Sequence, residues 1–196
     1  FLPIAALFHG QVINVESLGR DAGVARSTVE GYLQILEDTL IAFQIPAYEK
    51  KLRVRQRQHP KLYWADSGLV RVAKDQLGEV SAEEKGALFE GFVAQILKAH
   101  RELGFLQCSQ ISYWSAGKNS VEVDFVIERG TESIGIEVKA SSNTPAPDWF
   151  AGLVAMREMG VLRRSIVVYL GNRRFRHATG VEVMPLQDFL GALKSL

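Results

Sequence analysis

Three charged residues stand inside apolar runs: Asp124 in VEVDFVIE, and Glu137 and Lys139 in IGIEVKAS. Charge in such a setting is tolerated when it is paired, hydrogen-bonded or bound to a metal. Read as a strand, residues 121–128 put Glu122, Asp124, Val126 and Glu128 on one face. Val121, Val123, Phe125 and Ile127 take the other. In residues 133–140, Gly135, Glu137 and Lys139 share a face, with Glu137 and Lys139 about 6.7 Å apart along the strand. A four-residue loop, Arg129 to Glu132, pairs Glu128 with Ser133 and sets Asp124 opposite Glu137. A two-residue loop shifts the register by two and keeps both acids on one face. A three-residue loop places Asp124 opposite Ile136 and separates them. Facing carboxylates repel, and a hard divalent cation relieves them. Mg²⁺ or Mn²⁺ takes one or two carboxylates together with water and phosphate oxygens. With Lys139 beside the acids to serve a water or developing phosphate charge, the expected chemistry is metal-assisted phosphodiester hydrolysis. The competing expectation is a solvent-facing edge on which Lys139 only neutralises the acids.

The stretch VEVDFVIERGTESIGIEVKAS resembles the core of the PD-(D/E)XK nuclease superfamily, where an Asp on one strand precedes E-x-K on the next. Asp124 and Glu137-Val138-Lys139 match that pattern. The resemblance implies a restriction-endonuclease-like α/β sandwich with a mixed central sheet. It implies Mg²⁺ or Mn²⁺ on Asp124, Glu137 and the Val138 carbonyl, with Lys139 at the attacking water. Many members add a Glu from a preceding helix, and GALFEGFVAQIL offers Glu90 in that role, as a catalytic and metal-binding residue bordering the Phe89/Val93 stripe. Where those enzymes often carry Pro before the Asp, this chain has Val123. A second resemblance covers nearly the whole chain. GVARSTVEGYLQILEDTLIAFQIPAY, KLYWADSGLV, GALFEGFVAQIL, YWSAGKNSVEVDFVIE and IEVKASS follow one another. They are similar to the C-terminal region of a prokaryotic AAA-type ATPase family, in which a P-loop ATPase precedes a winged helix and a nuclease-like domain. No GxxxxGK[ST] occurs here, so ATP enters only through an N-terminal ATPase domain outside this chain, which is then an expected partner. The resemblance implies architecture more than cleavage. The alternative is a catalytically silent nuclease fold that binds DNA or protein and regulates the ATPase.

Two domains are expected to position these residues. Residues 1–78 read as a winged helix-turn-helix domain and residues 79–196 as the nuclease-like domain. In the first, Asn14 is a cap for a helix over 15–22 that stops at Gly23, and a second helix starts near Arg26. Leu33, Leu36 and Leu40 continue its apolar stripe. LIAFQIPAY and KLYWAD read as strands flanking a basic segment. Arg26, Ser27 and Thr28 open the second helix, where DNA contacts are usually made. Lys50, Lys51, Arg53, Arg55 and Arg57 join them as expected DNA contacts on or beside the wing. Asp66 reads as a turn or cap residue. After a polar linker, Ser81 with Glu84 forms a capping box for a helix over about 82–100. Strands then follow at about 108–114, 122–128 and 133–140, a helix at about 147–159, the buried run RSIVVYL, and a last strand and helix in GVEVMPLQDFLGALKSL.

Bulk composition fits this. The 196 residues suffice for one good core or two small ones, with 47% apolar and 23% charged residues, as in globular domains. No apolar run approaches the roughly 18 residues of a membrane span, so no membrane partner is expected. A single cysteine, Cys108, excludes an internal disulfide and a CxxC metal knuckle, which fits a cytoplasmic setting. FLPIAALFHG lacks an initiator Met and a charged n-region, so it reads as a piece of a longer chain. Net charge is +1, yet Lys50, Lys51, Arg53, Arg55, Arg57 and Lys61 cluster without an acid, a basic patch suited to DNA. The oligomeric state, the pathway and any DNA preference are left open by these features.

Overall fold

A computed structural model describes residues 1–48, 59–116, 121–143 and 145–196. The chain divides into two compact units, 1–95 and 96–196. The division falls inside one long helix, Ala82–Glu102.

The first unit runs α1 (Leu2–Leu7), β1 (Gln11–Val12), α2 (Val15–Ala22), α3 (Arg26–Asp38), β2 (Ala42–Ile45), β3 (Lys61–Trp64), α4 (Ser67–Ala73), then the start of α5 (Ala82–Glu102). Its three strands form an antiparallel sheet in the order β1-β3-β2. The Asn14 side chain accepts from the Glu16 and Ser17 N–H groups, which starts α2 where the sequence placed it. Val29, Leu33 and Leu36 of α3 pack on Ile13, Leu18 and Leu62. The expected continuation of that stripe to Leu40 fails. The Leu40 N–H donates to the Glu37 carbonyl and the Ile41 N–H to the Leu36 carbonyl, with Leu40 at φ 59°. That is a helix-ending turn whose left-handed position usually holds glycine, and it leaves Leu40 72% exposed. α1, β1 and α4 have no counterpart in the sequence reading. The start of the supposed linker, residues 70–73, is the end of α4, because Asp66 accepts from the Gly68 and Leu69 N–H groups and Val70 is buried. Ser81 caps α5 by accepting from the Glu84 N–H, but the Glu84 carboxylate goes to Arg71 at 3.0 Å.

The second unit holds the end of α5, β4 (Gln110–Ser115), β5 (Glu122–Arg129), β6 (Glu132–Lys139), a 3₁₀ turn at Pro147–Phe150, α6 (Ala151–Glu158), β7 (Leu162–Tyr169), β8 (Phe175–Arg176), β9 (Glu182–Pro185) and α7 (Leu186–Ala192). The sheet order is β4-β5-β6-β7-β9-β8, mixed: β6, β7 and β9 are parallel, the other pairs antiparallel. Val123, Phe125, Val126 and Ile127 are all fully buried. The middle of β5 is therefore covered on both faces, and the strand reads as a continuous apolar run. β8 is the element the sequence reading lacked; two residues carry no periodicity.

The β5–β6 turn decides where the acids go. It is a two-residue turn, Gly130-Thr131, closed by the pair Arg129 and Glu132, with Gly130 at φ 61°. Glu128 still faces Ser133. The expectation that a two-residue loop shifts the register is corrected: shortening the loop by one residue on each side adds a pair and leaves the register unchanged. β5 also bulges. Ser112 pairs with Val126 and Trp114 with Val123, so β5 carries one residue more than β4 across this step. That corrects the strict alternation: the extra residue turns Val123 onto the face of Val126 and Gly135. α6 covers that face. A Cβ on Gly152 would lie 1.8 Å from the Glu122 carbonyl oxygen and 3.0 Å from a Val123 methyl, so helix and strand backbones meet there.

Candidate metal centre and nucleic-acid interface

Asp124 stands in the bulge, where β5 parts from β6. The β5–β6 pairs end at Phe125 and Ile136, and the Val138 N–H donates instead to Asp124 Oδ2 at 2.8 Å. Glu137 and Lys139 follow on β6 beside Val167 and Tyr169 of β7. They thus lie at the carboxyl ends of parallel strands, where open α/β sheets place ligands. Asp124 and Glu137 are each 7% exposed. The Lys139 ammonium sits 2.7 Å from Glu137 Oε1. Burial works against that ammonium, but Glu137, its hydrogen bond, Asp124 and Asp148 outweigh it and push the Lys139 pKa above the ordinary lysine value. Lys139 is thus held as a cation, suited to meeting negative charge rather than to taking a proton.

The structure therefore brings Asp124, Glu137, Val138 and Lys139 together. Among the described residues, Asp124 Oδ2 accepts from the Val138 N–H and Glu137 Oε1 from the Lys139 ammonium. Two hard oxygen ligands with water completing the shell is a donor set Mg²⁺ or Mn²⁺ accepts, so the residues fit such an ion. Among the described residues, no three His, Cys, Asp or Glu side chains gather as a metal shell. Asp148 is the residue sequence reasoning missed. It opens the 3₁₀ turn after Pro147, is exposed, and reaches Lys139 only through its charge. Nothing in the spacing of PAPDWF marks it.

Glu90 lies in the first unit, in a polar cluster with Lys61 and Tyr63. Its Oε1 accepts from Lys61 Nζ at 3.1 Å and from the Tyr63 hydroxyl at 2.6 Å. Lys61, counted with the basic patch, is 4% exposed and turned inward to this acid. His9 lies against the same strand. Its Nδ1 accepts from the Trp64 N–H at 3.1 Å, and a Cβ on Gly91 would collide with its ring at 2.2 Å. Burial, opposed by the Ala87 carbonyl and helped by the Lys74 charge, brings the His9 pKa down to about 4.

The expected DNA contacts on α3 are partly committed elsewhere. Arg26 is exposed, but Glu30 at 2.9 Å and Glu16 at 3.2 Å neutralise it. Ser27 is exposed and Thr28 half-buried. Glu30, Tyr32, Gln34, Ile35 and Asp38 complete an exposed face that is acidic and apolar. Lys50, Lys51, Arg53, Arg55 and Arg57 lie outside the described residues.

Residues 85–189, more than half of the chain, match a family model described as Domain of unknown function (DUF4143). The chain belongs to the DUF4143 family. Ahead of this DUF4143 region, residues 1–79 match a second model, Domain of unknown function (DUF8612). Similar curated proteins are the uncharacterized proteins Rv2008c of Mycobacterium tuberculosis and Mb2031c of Mycobacterium bovis. Each is 30% identical over 94% of this chain and 41% of its own length. The chain thus spans about two fifths of the curated relatives it matches. Among solved structures, protein VC1899 from Vibrio cholerae aligns over 90% of this chain and 43% of its own. Its TM-score is 0.36 and its identity 20%, too slight a likeness to bear on the fold. No helix among the described residues is long and apolar enough to cross a membrane.

Proposed function

We propose that the second unit is a divalent-cation-dependent phosphodiesterase-like domain acting on DNA, of the PD-(D/E)XK kind. In the full-length protein it works beside an AAA-type ATPase domain and a winged-helix DNA-binding unit. One observation carries this reading. Asp124 and Glu137, both buried, converge with Lys139 where β5 parts from β6 at the carboxyl ends of the parallel strands. Asp124, Glu137 and the Val138 carbonyl would hold Mg²⁺ or Mn²⁺, which when bound polarises a phosphodiester and acidifies a water. Lys139 meets charge that develops on the phosphate. The Val138 N–H fixes the Asp124 carboxylate, and the bulge aims it. The test is calorimetric and then enzymatic. Mn²⁺ is expected to bind the parent and not Asp124→Asn. The parent is expected to nick plasmid DNA with Mn²⁺, and Lys139→Ala to abolish this. Nicking that survives Lys139→Ala through repeated purification would end the proposal.

A second reading is favoured by where Glu90 and Arg26 stand. The acid that would complete the nuclease set is held by Lys61 and Tyr63, and the cation that would open the recognition helix is held by Glu16 and Glu30. On this reading the fold is retained as a silent module that regulates the ATPase through DNA or protein contact. Absence of Mn²⁺ binding heat in the parent selects it.

A further inference from the structure

Around Glu182, in the second unit, three guanidinium groups converge on one carboxylate. Arg164 makes a two-pronged contact at 2.7 and 3.0 Å, while Arg174 and Arg176 stand at 3.6 and 3.8 Å. Arg164 is largely covered; Arg174 and Arg176 are 53% and 71% exposed at the side chain. The Glu182 carboxylate is held below its ordinary pKa, first by the Arg164 hydrogen bond, so it stays ionised and cancels only one of the three charges. Of the two outer cations Arg176 lies in β8, the last strand of the sheet, and Arg174 immediately precedes it.

The hairpin that presents them is braced at both ends. The Arg173 N–H donates to the Tyr169 hydroxyl at 3.0 Å, and that hydroxyl donates to the Arg173 carbonyl at 2.7 Å. At the other end the His177 N–H donates to the Val181 carbonyl, the Gly180 N–H to the His177 carbonyl, and Arg157 to the Thr179 carbonyl. Tyr169 is the β7 residue beside Lys139, so the strip of cations starts at the sheet end that carries Asp124, Glu137 and Lys139. By register, Arg174 and Arg176 lie on the face of Ile136 and Ile166, opposite Glu137. Phe175, exposed between them, faces the Glu137 side. A strand edge blunted only against aggregation needs charge facing solvent. It does not need two guanidiniums crowded toward a third that already neutralises the acid.

We infer that the β8 edge is a nucleic-acid contact surface, with Arg174 and Arg176 on the phosphodiester backbone and Arg164–Glu182 fixing their position. The choice of nucleic acid rests on the reading of DNA as the substrate. The surface takes on within the second unit the contacts for which α3 is too acidic.

The test measures binding of the whole chain to a short fluorescein-labelled DNA duplex by anisotropy across a salt series, in EDTA. Arg174→Gln/Arg176→Gln is expected to lower the slope of log affinity against log salt by about 2. Arg174→Lys/Arg176→Lys keeps the charges and keeps the slope. Lys74→Gln/Lys85→Gln, equal in charge but in the first unit, also leaves it in place. Should the glutamine double lose its fold, Arg174→Gln alone is expected to lower the slope by about 1. A glutamine double with the parent's slope, or a Lys74/Lys85 double that lowers it as much, overturns the inference. Because no metal is present, failure here is separate from failure of Mn²⁺ binding or nicking.

Discussion

Each unit sets a lysine against a glutamate, and the two arrangements teach different things. In the first unit, Glu90 is shared by Lys61 and the Tyr63 hydroxyl. There one base and one neutral donor meet the acid. In the second unit, Lys139 answers Glu137, and Asp124 is buried on the neighbouring strand with the Val138 N–H on its Oδ2. Two acids meet there at the carboxyl ends of parallel strands. A lysine–glutamate pair is what a fold tolerates at modest net gain. A second buried acid beside it offers a cation hard oxygen ligands. The ion pair therefore does not mark the site; the second acid, and the place in the sheet, do.

Breaking the Glu90 cluster gives the largest expected effect. Glu90→Ala takes the Glu90 carboxylate from the buried Lys61 ammonium and the Tyr63 hydroxyl and is expected to cost about 3 kcal/mol, read as the urea midpoint of the first unit's transition. Lys61→Met/Glu90→Leu, which removes both charges, is expected to recover most of that loss. A Glu90→Ala chain as stable as the parent would dissolve the contrast between the clusters.

The next effect belongs to His9, in the same unit. Its folded pKa of about 4 lies below the unfolded value of 6.5. Between those values the unfolded chain binds the extra proton and the folded chain does not. Stability is then full above pH 6.5 and falls as the pH drops to about 4, by about 3 kcal/mol in all. Urea midpoints at the two ends measure it, and His9→Leu is expected to flatten the slope. A parent stability that does not change across that range would show His9 solvated, and the first cluster looser than drawn.

Much of this was legible in the sequence, for reasons that differ residue by residue. Asn14, Asp66 and Ser81 announced helix starts because capping is a local bond between a side chain and the next two or three N–H groups. The β5–β6 register was legible because a short hairpin turn admits few registers. The bulge at Asp124 was not, because it belongs to the pairing with β4, which strand alternation within β5 does not display, and no residue type in VEVDF signals it. Helical periodicity shows that Glu90 borders the apolar stripe, but it cannot show that Lys61 and Tyr63 wait beside it. Leu40 looked like core because its spacing continued the stripe, until the helix end turned it outward.

The Asp124 cluster should respond in the opposite sense. Asp124→Asn keeps an oxygen for the Val138 N–H and removes one of the two acid charges. In EDTA it is expected to change stability by less than about 1 kcal/mol, and toward stabilisation, the usual direction when a functional charge is neutralised. The Mn²⁺ binding heat is expected to vanish in the same variant. A loss of several kcal/mol on Asp124→Asn without metal would make Asp124 a structural group like Glu90, and the two clusters alike.

Asp148 sets the finest scale of the comparison. It is exposed, and it acts on Lys139 only through its charge. A surface charge of that kind is worth little to folding, within about 0.5 kcal/mol, so Asp148→Asn should leave the urea midpoint unmoved. A cation brought between Asp124 and Glu137 would feel the same charge at short range, where salt screens less than between exposed groups. Mn²⁺ affinity in Asp148→Asn is thus expected to fall by a factor of about 3, or about 0.7 kcal/mol, measured against Glu132→Gln at the opposite end of β6 as a charge-matched control. Equal losses in the two variants would assign the effect to net charge alone and leave Asp148 outside the site.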